Sequence, residues 1–181
     1  DSAELKLMGV ENIVRLEARN ANMEGCKAIT IRDLIKASLR MRPDRIIVGE
    51  VRGEEAVDLL TAMNTGHDGS ISTGHANSAR DMLTRLETMV LMGVEMPLEA
   101  IRRQIASAVD IIIHLGRLRD HSRKLLEIVE VVGYDNHEIV LSPLYTFVED
   151  GCTKEAKIHG IFVKQNDMVH VQKLKAAGIE V

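Results

Sequence analysis

Between Arg45 and Gly53 the chain reads Arg-Ile-Ile-Val-Gly-Glu-Val-Arg-Gly. Three consecutive β-branched apolar residues, Ile46, Ile47 and Val48, suit a strand buried on both faces, as in a parallel sheet covered by helices. The strand runs into Gly49 and the acid Glu50, so a carboxylate stands at its carboxyl end, where open α/β sheets bind ligands. Two readings are open for this stretch alone. It is a nucleotide-hydrolysis site, or a core strand with a charged end.

The flanking segments set the fold class. Residues 13–18 alternate, with Val14, Leu16 and Ala18 on one face and Arg15 and Glu17 on the other, which predicts a half-buried strand. Asn20 to Gly25 reads as a loop. Thr30 opens a helix with Asp33 three positions later, a capping-box pair, and Ile31, Leu34, Ile35 and Leu39 form its apolar stripe. Pro43 ends that helix at or before Arg42. After Gly53, Ala56, Leu59, Leu60 and Met63 recur at helical spacing and Gly66 is a stop signal. The small residues of 70–76 suit a short strand close to neighbouring backbone. Ser78 and Asp81 form a second capping pair, heading a helix to Gly93, and another helix follows Pro97. Val109 to Leu115 is an apolar run that predicts a further buried strand. Strands and helices thus alternate, which predicts a parallel α/β sheet. Beyond residue 116 the pattern changes. Leu125–Val132 and Glu138–Val148 predict a hairpin around 133–137, followed by a short strand at Ile161–Val163 and an amphipathic helix near 171–177. The expected division is an α/β core over 1–116 and a β-rich and helical appendage over 117–181.

Composition narrows the function classes. With 23 basic and 27 acidic residues there is no strong field for nucleic acid, and two Phe, two Tyr and no Trp make base-stacking platforms improbable. Cys26 and Cys152 lack paired spacing and read as free thiols. No apolar run approaches a membrane span. The chain begins at Asp1 rather than Met, which points to a piece of a longer protein.

Chemistry concentrates on few residues. His67 and His75 would lie about 26 Å apart along an extended strand, too far to share a metal. Glu50 and His75 each end a strand-like segment that precedes a helix, so both belong on one sheet edge, where helix N-termini favour phosphate. A carboxylate there orients a water or holds a water of Mg²⁺, and an imidazole donates to a terminal phosphate. The alternative for His75 is an ordinary loop histidine at a helix entrance. Arg15, Arg19, Arg32, Arg40, Arg42 and Arg52 are candidates for phosphate contact or for ordinary solvated ion pairs. A phosphate-cradling G-x-x-x-x-G-K-[ST] loop is absent from the 181 residues, and Gly-Lys does not occur.

These motifs together resemble a known family. Arg40-Met41-Arg42-Pro43-Asp44-Arg45-Ile46-Ile47-Val48-Gly49-Glu50-Val51-Arg52-Gly53 resembles the Walker B region of type II/type IV secretion ATPases. Ser72-Thr73-Gly74-His75-Ala76-Asn77-Ser78 is similar to that family's His box, and Asp1-Ser2-Ala3-Glu4-Leu5 to the tail of its Asp box. Met-Arg-Pro-Asp-Arg and Gly-His-Ala-Asn-Ser look most like the CpaF branch, the motor of Tad/Flp pilus assembly. The resemblance implies a RecA-like P-loop NTPase core, incomplete at its N-terminus, from a hexameric ring on the cytoplasmic face of the membrane. ATP and Mg²⁺ would bind between subunits, and an inner-membrane platform protein would be a partner, with nucleic acid not expected. Glu50 would act on Mg²⁺ through a water or on the attacking water, and His75 would sense the γ-phosphate. Asp1, Arg15, Arg19 and Arg52 would contact nucleotide. Without the Walker A loop the chain alone is expected to bind ATP poorly and not to hydrolyse it. The rival expectations are a RecA-like motor on nucleic acid and a non-catalytic interaction module.

Overall fold

The computed structural model describes residues 5–21, 26–152 and 157–180. Thr30 caps the first helix, α1 (Ile31–Leu39), as its sequence dictates: its hydroxyl accepts from the Asp33 N–H, and the Asp33 carboxylate accepts from the Thr30 N–H at 2.9 Å. The helix stops before Pro43, and the chain turns through Arg42 at φ +53°.

Strand β1 (Ile47–Val48) then pairs in parallel with β2 (Ile71–Ser72), in the register Ile47 to Ile71 and Val48 to Ser72. Two further backbone bonds lengthen this ladder at both ends, from Ile71 N–H to the Ile46 carbonyl at 3.1 Å and from Val51 N–H to the Thr73 carbonyl at 3.0 Å. Helix α2 (Glu55–Met63) connects the two strands. Helices α3 (Ala79–Gly93) and α4 (Leu98–Ala108) follow, and Ser78 caps α3 by accepting from the Asp81 N–H. Gly93 marks where α3 meets the start of α2. A Cβ there would lie 2.8 Å from the Glu54 carbonyl oxygen, so only glycine allows this approach.

The second sheet is an antiparallel meander, β3 (Ile111–Arg117), β4 (Arg123–Asp135), β5 (Glu138–Cys152) and β6 (Ile158–Lys164), in that spatial order. The β4–β5 turn is two residues long, with Asn136 and His137 at φ +47° and +65°, the twist that matches antiparallel strands. A short helix, α5 (Gln172–Ala176), ends the described chain.

Three expectations are corrected. Residues 13–18 form no strand. Their neighbourhood holds only an isolated bridge from Arg19 to Ile29, and Val14 is 63% exposed, because a strand needs a partner to bury its apolar face. The run Ile46–Val48 is covered on one face rather than both: Ile46 and Val48 are buried but Ile47 is 40% exposed and its partner Ile71 57%. The run 109–115 does not join the parallel pair. It enters the meander as β3, antiparallel to β4, and remains paired across residue 116 to Arg117. The loop expected at Asn20–Gly25 lies partly outside the described residues.

One core joins the halves. Ile35 of α1, Leu60 of α2, Val90 of α3, and Ile101 and Ile105 of α4 meet Val131 of β4 and Ile139 of β5. Ile105 is fully buried, so Ile105→Ala should lower unfolding free energy by about 2–5 kcal/mol in urea titration, the cost of a core cavity.

A carboxylate fastens the far end of the meander. Asp120, in the β3–β4 turn, accepts from the Ile158 N–H at 2.8 Å and from the Ser122 N–H and hydroxyl at 2.9 and 2.7 Å. These donors, the Ile158 amide first, hold its carboxyl at about 2, below the ordinary 3.8. A depressed folded-state value means that the stabilisation is present above about pH 4 and is lost as pH falls through 2. Asp120→Ala should therefore lower the thermal midpoint at pH 5 and converge on the parent as the pH approaches 2. Parallel melting curves across that range check it.

Candidate active site

The parallel ladder places Glu50 and His75 side by side. Val51 bonds the Thr73 carbonyl, and the Thr73 hydroxyl donates to the Gly49 carbonyl at 2.5 Å, so both chains leave the sheet together. His75 Nε2 then lies 3.0 Å from Glu50 Oε1. The second carboxylate oxygen, Oε2, accepts from Arg52 Nε at 2.6 Å, with Arg52 Nη2 also against it. The Glu50 side chain is 15% exposed, whereas the imidazole is 83% exposed. A half-enclosed acid thus faces a histidine open to solvent.

Local sequence explains each placement. Gly74 passes close to α3: a Cβ there would lie 2.5 Å from the Met82 methyl, so that flexible side chain would have to shift. Arg52 sits at the entrance of α2, where the Glu55 carboxylate accepts its N–H at 2.7 Å and that of Gly53 at 3.1 Å. This carboxylate satisfies donors that the helix start leaves open. On the other side, Ser78 opens α3.

The Arg52 hydrogen bond is the main cause that holds the Glu50 carboxyl below its ordinary range, against partial desolvation. The charges of Arg52, His75 and Arg85 add to the effect. Glu50 is therefore a carboxylate at neutral pH, able to accept a proton or a hydrogen bond but not to donate one.

Arg85 was not singled out by the sequence. With His75, Asn77, Asp81, Thr84 and Thr88 it lines an open depression of about 570 Å³ beside the pair. The signal was present: Asp81, Arg85 and Thr88 recur at helical spacing on one face of α3, immediately after the histidine.

The other predicted residues that the structure describes make their contacts elsewhere. The Arg15 guanidinium donates to the Leu7 carbonyl at 2.9 Å, and Arg19 is bridged through its backbone to Ile29. Neither is among the groups that bear on Glu50. Arg32 is committed to Asp58 at 2.5 Å and Glu54 at 3.2 Å. Asp1 falls outside the described residues. Removing the guanidinium by Arg52→Ala should raise the Glu50 carboxyl pKa towards the ordinary glutamate value, read as the pH midpoint of its carboxyl carbon resonance.

Comparison with known proteins places the chain. Residues 1–173 match the family model described as type II/IV secretion system protein. The chain is 47% identical, over 117 residues, to a Mycobacterium tuberculosis protein provisionally named a conjugal transfer protein, covering 65% of this chain and 33% of that one. It is 36% identical over 137 residues to the conjugal transfer protein TrbB of Rhizobium radiobacter, covering 76% of this chain and 39% of that one. The crystal structure of the VirB11 ATPase from the Brucella suis type IV secretion system, in complex with sulphate, superposes on 55% of this chain and 31% of its own. The TM-score is 0.53 and the identity 37%. The chain therefore spans about a third of the length of these relatives. With nearly its whole length matched by the family model, the chain belongs to the type II/IV secretion system protein family.

Proposed function

We propose that this chain is the C-terminal part of a hexameric cytoplasmic ATPase at the inner face of the membrane. ATP hydrolysis there drives type II or type IV secretion, or assembly of a Tad/Flp pilus, through an inner-membrane platform protein. In this reading residues 1–116 belong to a RecA-like core, and residues 117–181 form its appendage. The observation that carries the reading is the 3.0 Å contact of Glu50 with His75 at neighbouring carboxyl ends of two parallel strands. That is where α/β sheets seat nucleotides.

The chemistry follows from the two side chains. Glu50, held ionised, orients the water that attacks the γ-phosphorus and accepts its hydrogen bond. His75, solvent-facing and 3.0 Å from Glu50 Oε1, turns its Nε2 hydrogen to a γ-phosphate oxygen. Phosphoryl transfer asks the protein for positioning and charge rather than covalent chemistry, and this pair offers both. Arg52 trades its hold on Glu50 for phosphate oxygens as nucleotide enters. Arg15, Arg19 and Asp1 contact nucleotide from the segment ahead of α1, the arginines across the subunit interface.

The donor set fits Mg²⁺ in one manner only. No group of three or more His, Cys, Asp and Glu gathers among the described residues, so Glu50 would hold the ion through a water rather than within a cage. When bound, Mg²⁺ neutralises charge on the phosphate oxygens.

Because the 181 residues contain no Gly-Lys loop, they bind ATP poorly by themselves and do not turn it over. In the longer ATPase, Glu50→Gln should leave ATP binding nearly unchanged and lower kcat by about 10²–10⁴-fold, the range for losing a positioned base. His75→Ala should lower kcat less. Hydrolysis by the 181-residue chain itself, lost on Glu50→Gln, would overturn the incompleteness, and a Glu50→Gln enzyme with normal turnover would overturn the assignment.

A further inference from the structure

The His75 side chain is 83% exposed, so little packing holds the ring on Glu50, and its position is set by the ends of its loop. The near end is fastened by the β1–β2 ladder through Thr73. The far end is the first turn of α3, only four residues beyond His75. Ser78 caps that turn from the residue just ahead of the helix. From outside, Glu127 of β4 reaches it: its Oε1 accepts from the Ala79 N–H at 3.1 Å. The same oxygen is 3.2 Å from His114 Nδ1 of β3. Glu127 and His114 are 26% and 18% exposed, so the arrangement is half-enclosed rather than a loose surface pair.

A carboxylate at this point does two things. It satisfies one of the amide donors that a helix start leaves open, and its charge suits the positive end of the helix. His114, across the β3–β4 ladder, stands against the same carboxylate oxygen with its Nδ1.

We propose that Glu127 is a positioning residue for the Glu50–His75 pair: it clamps the first turn of α3 to the antiparallel meander and thereby fixes where His75 stands. Glu127 in this way adds, beside the shared apolar core, a polar link from the meander to the turn next to the candidate active site. The proposal rests on the reading of Glu50 and His75 as a hydrolytic pair, but its structural half is measurable without turnover.

Two measurements test it. In the 181-residue chain, the His75 ring resonances report whether the imidazole sits on Glu50. Glu127→Ala should shift them towards those of a free histidine, matching the shift produced by Glu50→Gln, while Glu127→Gln, which keeps an acceptor oxygen, should largely preserve them. If the alanine variant does not fold, Glu127→Asp, which withdraws the oxygen by one methylene, should produce the same shift. In the longer ATPase, Glu127→Ala should lower kcat by about ten- to a hundredfold with KM for ATP little changed, as expected for a misplaced catalytic group, and Glu127→Gln should recover most of it. His75 resonances that stay in place in the alanine or aspartate variant overturn the proposal. So does a kcat loss that glutamine fails to relieve, which would mark a general loss of stability. A wild-type ATPase without turnover would remove the function assigned to Glu50 and His75, yet the resonance shifts would still decide whether Glu127 positions the ring.

Discussion

The backbone ladder between residues 46–51 and 71–73 is the constraint on which the site depends. Only two residues in each chain have full strand geometry, yet the flanking bonds at Ile71 and Val51 extend the pairing to the point where the chains diverge. Because the strands are parallel, their carboxyl ends emerge together, and an acid after one meets a histidine after the other. An antiparallel pair would have sent Glu50 and His75 to opposite edges. The helices serve this arrangement: α2 is the crossover that makes parallel pairing possible, and α3 begins directly after the histidine.

Three carboxylates show how environment assigns different work to one functional group. Glu50 is balanced between Arg52 and His75, both largely open to solvent, so a ligand can reach the partners that hold it. Asp120 accepts from two backbone N–H groups and the Ser122 hydroxyl, which serves to fasten a turn. Glu130 is almost wholly buried and accepts the N–H groups of Val169 and His170 at 2.8 and 2.7 Å, so it anchors the segment that leads to α5. A buried acid needs such donors, since removing them would leave a charge without solvent or partner. Solvent-open side-chain partners thus set Glu50 apart from the two acids whose donors lie mainly in the backbone.

Much of this was legible in the sequence, for identifiable reasons. The capping pairs Thr30–Asp33 and Ser78–Asp81 are local, and both formed as written. The juxtaposition of Glu50 and His75 followed from strand-then-helix order, which is again a local pattern. What failed was partner choice. Val14 and Leu16 alternate correctly but have no neighbouring strand, and alternation cannot reveal that. Ile111–Leu115 is as apolar as a buried parallel strand, yet it pairs with β4, because composition does not encode direction. Arg85 and Glu127 were missed because their relation to the site is tertiary: one lines the depression beside His75, the other bonds Ala79 at the start of α3 from a strand nearly fifty residues further on.

The meander and its tail grip β2 at both ends, and the two grips differ in kind. At the carboxyl end the Ala79–Glu127 bond is part-buried and uses a backbone donor, whose position the helix fixes. At the amino end Lys173 of α5 reaches Asp68, in the turn that leads into β2, at 2.6 Å, but both side chains are about 70% exposed. An exposed lysine–carboxylate pair is screened by salt and costs side-chain entropy to hold. The tail itself is secured by Glu130 at Val169 and His170, just before Lys173. Loosening the amino-end pair therefore leaves the tail docked and releases only the turn at Asp68, since the bond from Ile71 N–H to the Ile46 carbonyl still holds the start of β2, while the carboxyl end, which carries His75, stays fastened. The asymmetry places rigidity where a side chain must meet a substrate and leniency where the chain merely turns.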